Sequence, residues 1–371
     1  MHKSNNKFYT LSVDKTSTPM NFDTIVSSLI NKSSVDWYSL FQKADNIRKK
    51  HVGEEIHLRG LIEISNYCRR NCLYCGVRAG NNSVQRYRLS EDDILTAASK
   101  AVEFRYGSVV LQSGEDLGIE ADWLGKIVKK IKKMGLAVTL SLGERDNQDY
   151  QLWRDAGADR YLLRFETSNR ALFNIIHPPL LIREPVDRMK ILLELRGMGY
   201  EIGSGVMIGI PGQSYKDLAR DIELFRTLSL DMIGCGPYLP HPQTPLGSPE
   251  AYKEYVPAID AEEQVPATAE MAFKVIALAR LVCPNANIPC TTAVATIDVR
   301  EGRKLGLQRG ANVVMPNLTP TEYRKMYEIY PNKAATYLTA EQTHESVMQT
   351  LREIGRTPGT GRGDSKVRVS L

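Results

Sequence analysis

Gly60-Leu-Ile-Glu-Ile-Ser-Asn-Tyr-Cys68-Arg-Arg-Asn-Cys72-Leu-Tyr-Cys75 is an apolar strand pattern that runs straight into three cysteines. Three residues and then two separate them, and an aromatic, Tyr74, stands just before the last. Three thiolates on one short loop can each hold one iron of a [4Fe-4S] cubane. The fourth iron then takes no ligand from this loop, and an open metal position is where a cofactor or substrate can bind and react. Structural zinc is the competing reading. It normally closes its tetrahedron with four Cys or His ligands, usually as two separated pairs. The sequence contains no second Cys-x-x-Cys and no His-x₃-His pair.

On both sides of this loop the chain keeps a regular beat of short apolar strand, polar or glycine-bearing loop, and helix. Strands are expected near 59–65, 108–112, 136–141, 159–165, 202–208, 230–234, 285–290 and 312–315. Helical patterns lie between them, at 92–104, 123–134, 148–156, 185–198 and 215–228, with Gly107, Gly135, Gly157 and Gly199 placed as C-cap glycines. Eight such units predict a parallel α/β barrel of the (βα)₈ TIM type, with a doubly wound open sheet as the alternative. In either fold, ligand-binding groups belong at the carboxyl ends of the strands, where the cysteine loop falls. Two helices near 22–31 and 35–50, capped by Ser33 or Ser34, precede the barrel; residues 1 to about 20 are polar and aperiodic. The expected division is therefore 1–50 for the N-terminal extension and helices, 51–325 for the barrel, and 326–371 for a C-terminal helical extension and tail. The segment 250–265 is a longer polar connection, read as a lid or insertion. The glycine-rich, basic tail from Arg356 to Leu371 reads as a surface extension, with its Arg362-Gly363-Asp364 tripeptide there by chance.

Composition narrows the class. With 42% hydrophobic and 25% charged residues in 371, the chain is that of a globular protein, and no apolar run reaches the ~18 residues of a membrane span. A net charge of +5 does not argue for nucleic acid, and Met1 leads into polar sequence rather than a secretory signal. Six cysteines, three in one loop and the others scattered at 235, 283 and 290, are not a disulfide framework. A reducing cytoplasm is expected.

Polar residues stand where a barrel lumen should be. Strand residues alternate faces. In 136–142, Val138, Leu140 and Leu142 share one face while Thr139 and Ser141 share the other. Arg164 and Glu166 point the same way in the next strand, as do Arg59, Glu63 and Ser65 in the first. Outer barrel faces are covered by helices, so these polar sets are expected inside, either as a site or as a structural ion pair of Arg164 with Glu166 or Glu63. At the strand ends, the backbone of Ser113-Gly114-Glu115-Asp116 can meet an ammonium. Gly209 of the Gly-Ile-Pro-Gly turn lets backbone approach a flat ligand, and Arg183 offers a fork of donors to a carboxylate.

The cysteine spacing with its aromatic resembles the signature loop of the radical S-adenosylmethionine (SAM) enzymes. Arg59–Cys68, Val110–Asp116, Ala156–Thr167 and Ala311–Asn317 together resemble the HydE family of [FeFe]-hydrogenase maturases, in the biotin synthase-like branch. That resemblance implies a full barrel with a [4Fe-4S] cluster and SAM at the top of a closed cavity, and reductive cleavage of SAM to methionine and a 5′-deoxyadenosyl radical. It implies a role in building the diiron subcluster on an organometallic iron–cysteine precursor. An electron donor such as ferredoxin or flavodoxin, and the sister maturases, are the implied partners. By motif, Cys68, Cys72 and Cys75 would hold the cluster. Tyr74, Ser113, Gly114, Glu115, Ser141, Glu166, Arg183 and Gly209 would serve the SAM site, and Arg59, Gln112, Thr139 and Arg164 the substrate cavity. Some family members carry cysteines for an auxiliary cluster near the C-terminus; the corresponding region here, from Tyr330 to Met348, has none, so no second cluster is expected. A paralogue such as a methylornithine synthase-type mutase is the alternative within the branch, and a non-catalytic metal-binding scaffold the alternative outside it.

Overall fold

The computed structural model describes residues 20–180 and 187–367. The polar N-terminal expectation for residues 1–19 lies outside them. Two helices, Phe22–Ile30 and Ser34–Val52, come first, the second capped by Ser33, whose hydroxyl accepts from the Asp36 amide. Ten strands follow among the described residues: β1 (Glu55–Ser65), β2 (Ser108–Ser113), β3 (Ala137–Ser141), β4 (Arg160–Leu162), β5 (Glu201–Ser204), β6 (Met207–Ile208), β7 (Met232–Ile233), β8 (Gly236–Pro237), β9 (Val313–Val314) and β10 (Thr357–Gly359).

The main sheet is parallel, in the order β10-β1-β2-β3-β4-β5-β7, with β9 also paired to β1. Single bridges, Met232 to Asn287 and Pro289 to Val313, carry the hydrogen bonding from β7 to β9 and close the ring. That makes a (βα)₈ barrel with its seventh stave reduced to bridges. The expected strand at 285–290 is not a regular one, because Pro284 and Pro289 bring no N–H to a ladder. The short β6 and β8 pair above β5 and β7 and lengthen that side of the barrel.

Outward residues pack under the helices. Val109, Leu111, Val138 and Leu140 are fully buried there, opposite helix residues such as Leu124, Ile127, Val128 and Ile131, which recur at helical spacing along Ala121–Lys133. Ser90 and Ser214 start their helices with capping boxes closed by Asp93 and Asp217. The 250–265 connection contains only the short helix Pro249–Tyr252. Its Val256 joins Leu73, Leu172 and Met207 in a satellite core beside the cysteine loop.

Two expectations fail at the opposite, amino-terminal mouth of the barrel. Gly135, Gly157 and Gly199 do take positive φ beyond their helices, but at the remaining position Arg105 makes that turn instead of Gly107. Gly107 is needed for space: a Cβ there would lie 1.8 Å from the Gly361 carbonyl oxygen. The tail is correspondingly not a surface extension. Its β10 adds to β1 with Glu55 opposite Thr357. Beyond it the Gly363 carbonyl accepts from Arg59 Nη2 and Asn287 Nδ2, both at 3.0 Å. The fully buried Arg160 holds the Arg362 carbonyl at 3.0 Å and the Asp364 carboxylate at 2.5 Å. Arg362-Gly363-Asp364 thus forms the floor of the barrel.

His57 of β1 packs against Gly363 in this floor. Burial, with Arg59 and Arg160 nearby, pushes its pKa down to about 4. The unfolded chain takes up a proton on this ring near pH 6.5, and the folded chain refuses it until about pH 4. This group therefore costs stability as pH falls through that window. His57→Gln should flatten the dependence of unfolding free energy on pH between 6.5 and 4 in urea melts; an unchanged slope would mean that the ring is not held neutral.

Candidate active site

At the carboxyl end of β1 the chain leaves the sheet through a loop that hydrogen bonds to itself and to its neighbours. Ser65 Oγ donates to Asp116 at 2.6 Å, and Asp116 is forked by Arg88 at 2.7 and 2.9 Å. Asn66 donates to the Gln85 and Met326 carbonyls, and Arg86 clamps the carbonyls of Asn66, Val77 and Arg78. Cys68, Cys72 and Cys75 stand within this frame. Gly114 lies against it so closely that a Cβ would come 2.2 Å from the Tyr67 oxygen and 2.8 Å from Cys68 Cβ.

The three thiols are close enough to repel one another as thiolates. Burial, followed by that repulsion, holds the Cys72 thiol well above its ordinary range and pushes Cys75 up to about 12. Burial also raises Cys68, against which the amides of Arg70 and Glu115 act. The Glu115 amide donates to Cys68 Sγ at 3.4 Å, and the Val77 amide serves Cys75. Among the described residues no three His, Cys, Asp or Glu side chains are grouped to chelate a single ion. Three adjacent sulfur donors fit an iron–sulfur cluster, whose irons would displace the protons that burial now favours, and the amide N–H groups with Arg70 and Arg188 beside them suit the negative charge of the thiolate-ligated whole.

His177 is part of this site and was not legible in the sequence. Its Nδ1 lies 3.2 Å from Cys72 Sγ and its Nε2 2.6 Å from the Tyr74 hydroxyl. Burial and Arg188 hold the ring well below the ordinary histidine range, so it is neutral. Arg188 in turn is fixed by Glu144 at 2.8 Å and by the Arg164 carbonyl at 2.6 Å.

Beneath the loop, inside the barrel, lies a cavity of about 320 Å³. Arg59, Gln112, Thr139 and Arg164 all line it, and so do Tyr74, Cys75, Ser113, Ser141 and Glu166. Gly114, Glu115 and Gly209 do not. Gly114 is behind Cys68, and the Glu115 carboxylate is turned away to Arg69 at 2.7 Å and the Glu144 amide at 3.0 Å. Gly209 faces Ala267 and gives its N–H to Gln213, so its freedom serves a backbone contact and not a flat ligand. Arg183 lies outside the described residues.

Arg164 Nη2 meets Glu166 Oε2 at 3.0 Å, while Arg164 Nε, Arg59 Nε and Thr139 Oγ1 have no hydrogen-bond partner among the described residues. Buried polar atoms of this kind normally have partners, so the cavity is built for a polar ligand. Glu63 pairs with neither arginine. It holds Lys333 at 2.7 Å and Asn317 at 2.9 Å, while Tyr327 accepts from Gln112 at 3.3 Å. Lys333 comes from the 330–348 segment, whose only sequence signal was its lack of cysteine, and Tyr327 from just before it.

A closed parallel barrel with this three-cysteine loop at the end of its first strand, above a polar lumen, defines a radical SAM enzyme, and residues 62–225 match the Radical SAM superfamily. The chain is 44% identical over 328 residues to the [FeFe] hydrogenase maturase subunit HydE of Thermotoga maritima, covering 88% of this chain and 89% of that one. It belongs to the HydE family. Methylornithine synthase (PylB) has the same fold, with a TM-score of 0.75 at 21% identity over 92% of this chain and 95% of that one. The FeFe-hydrogenase maturase HydG from Carboxydothermus hydrogenoformans shares it too, at 0.74 and 17% identity, over 92% of this chain and 76% of that one. Membership of the radical SAM superfamily implies a [4Fe-4S] cluster and SAM.

Gly114→Ala should displace Cys68 through the contacts its Cβ would make. The expected result is iron content well below that of the unaltered protein after anaerobic reconstitution, with the barrel's circular dichroism retained. Full iron loading would show that the loop tolerates the shift.

Proposed function

We propose that this enzyme acts in maturation of [FeFe]-hydrogenase, taking a small organometallic substrate built on iron and cysteine into the barrel cavity. The observation that carries the reading is the 44% identity to HydE along nearly the whole of both chains. The cavity supports it, being small, set inside the barrel and supplied with two arginines and unpartnered polar atoms. When bound, the cluster supplies the electron that cleaves SAM. The chain's own residues then divide by position. Cys68, Cys72 and Cys75 hold the cluster, and His177 with Tyr74 orders the Cys72 side of it. Ser141 and Glu166 hold SAM, with Arg183 added on the family resemblance alone, while Arg59, Gln112, Thr139 and Arg164 hold the substrate. Ferredoxin or flavodoxin is the electron donor we expect, and the cytoplasm the compartment. The 21% identity to methylornithine synthase supports a shared fold and gives no reason to prefer its substrate.

A single cluster is part of the proposal. Cys235, Cys283 and Cys290 are all buried: Cys283 closes the helix Ala269–Val282 within electrostatic reach of Cys235, whereas Cys290 lies against Gly306 and the Gly302 carbonyl. Reconstitution should therefore give about four irons per chain, and Cys72→Ala should lose most of that iron together with SAM cleavage. Six to eight irons, or cleavage surviving in Cys72→Ala, would overturn the assignment.

Glu166→Ala should weaken SAM binding by about 1.5–3 kcal/mol, the usual size of a lost charged hydrogen bond. Unchanged affinity by calorimetry would move Glu166 to the substrate. The function itself is tested by in vitro maturation of an apo-hydrogenase with the two sister maturases, adding or omitting this protein. Hydrogen evolution that depends on it is the expected result; no dependence would favour a paralogue.

A further inference from the structure

Among the described residues five charged side chains line the cavity: Arg59, Glu63, Arg164, Glu166 and Lys333. Three cations face two anions, so one positive charge is left for a ligand to meet. Glu63 and Lys333 have no place in the division of roles above, and both are buried.

The backbone at Glu63 is fixed on both sides. Its N–H donates to Thr319 Oγ1 at 2.8 Å, and its carbonyl accepts from the Tyr87 hydroxyl at 2.8 Å. One carboxylate oxygen takes the Asn317 amide and the other takes Lys333 Nζ at 2.7 Å. Lys333 also donates to the Tyr327 carbonyl at 2.8 Å, with its ammonium 5.0 Å from the centre of the Tyr327 ring. An ammonium carries three N–H donors. Two have acceptors, and the group borders the cavity. A buried ion pair serving stability alone gains little over apolar packing. A pre-positioned ammonium with a donor to spare, in a cavity with a surplus positive charge, is the equipment for binding a monoanion.

We propose that Lys333 is a substrate-binding residue, donating its third N–H to the carboxylate of the substrate's amino-acid portion, with Glu63 as the fixed counter-ion that holds it there. This rests on the reading of the cavity as a site for a cysteine-bearing substrate. It specifies which end of that substrate points toward the first strand.

The two partners respond oppositely to substitution if this is so. Removing the cation weakens the carboxylate's attraction, whereas neutralising Glu63 leaves the ammonium uncompensated and strengthens it. The probe is S-methyl-L-cysteine, whose thioether cannot displace cluster ligands, compared with its methyl ester. Binding is measured by calorimetry on the anaerobically reconstituted full chain with SAM present. Lys333→Met should weaken binding of the acid by about tenfold or more and leave the ester unaffected. Glu63→Gln should tighten the acid severalfold, and Lys333→Arg should keep it within about threefold. Equal weakening by Lys333→Met and Glu63→Gln would make the pair structural and overturn the proposal. So would equal losses of acid and ester, or no binding of the acid to the unaltered protein. Failure of the hydrogenase reading looks different: maturation would not depend on the protein, while acid binding and its response to these substitutions persisted.

Discussion

Charge cannot be left alone in a dry interior, and the lumen of this barrel is organised by that constraint. Arg59 depends on the Gly363 carbonyl at the floor, and Arg160 on Glu201 and Asp364 beside it. Glu63 depends on Lys333, and Arg164 on Glu166 and the Val206 carbonyl. Several of these partners come from outside the eight staves. The segment carrying Tyr327 and Lys333 and the tail carrying Arg362–Asp364 follow the last barrel strand, yet they complete its interior. Removing either would leave charges on β1 uncompensated, so the boundary between barrel and extension has little physical meaning here.

Strand parity is why so much of the cavity was legible. Once β1, β3 and β4 are recognised, the two-residue period assigns Arg59, Glu63 and Ser65, Thr139 and Ser141, and Arg164 and Glu166 to the lumen, and all line the cavity except Ser65, which lies past a register shift in β1 and turns to Asp116. The cysteine loop was legible because its spacing is local and its chemistry demands it. His177 was not: it reaches Cys72 across more than a hundred residues, from the end of the helix Arg170–Ile176, and nothing periodic marks it. The tail misled for a related reason. Gly-Thr-Gly-Arg-Gly-Asp has the composition of a loose terminus, but its glycines are there to pass close to Gly107 and His57. Sequence shows which residues are small and not what they have to fit beside. The seventh stave shows the same limit from the other side: the short stretch Asn285–Ile288 between two prolines falls where the beat of the chain expects a strand and makes only bridges.

The pairing of Glu55 with Thr357 joins positions about 300 residues apart, and this has a consequence for the order of events at the ribosome. At roughly 5–20 residues per second, the outer edge of β1 waits about 15–60 s for its last neighbour. During that time Ile56 sits on an unpaired strand edge, as Leu58 does until Val314 arrives, the feature that invites mispairing with other chains. The cysteine loop waits almost as long, because its anchors to the Met326 and Ile329 carbonyls are made late. A nascent chain therefore offers three cysteines on an unanchored loop above an open-bottomed barrel. Iron delivered then would meet thiols not yet held in place, so the geometry of the loop favours cluster insertion after release of the finished chain.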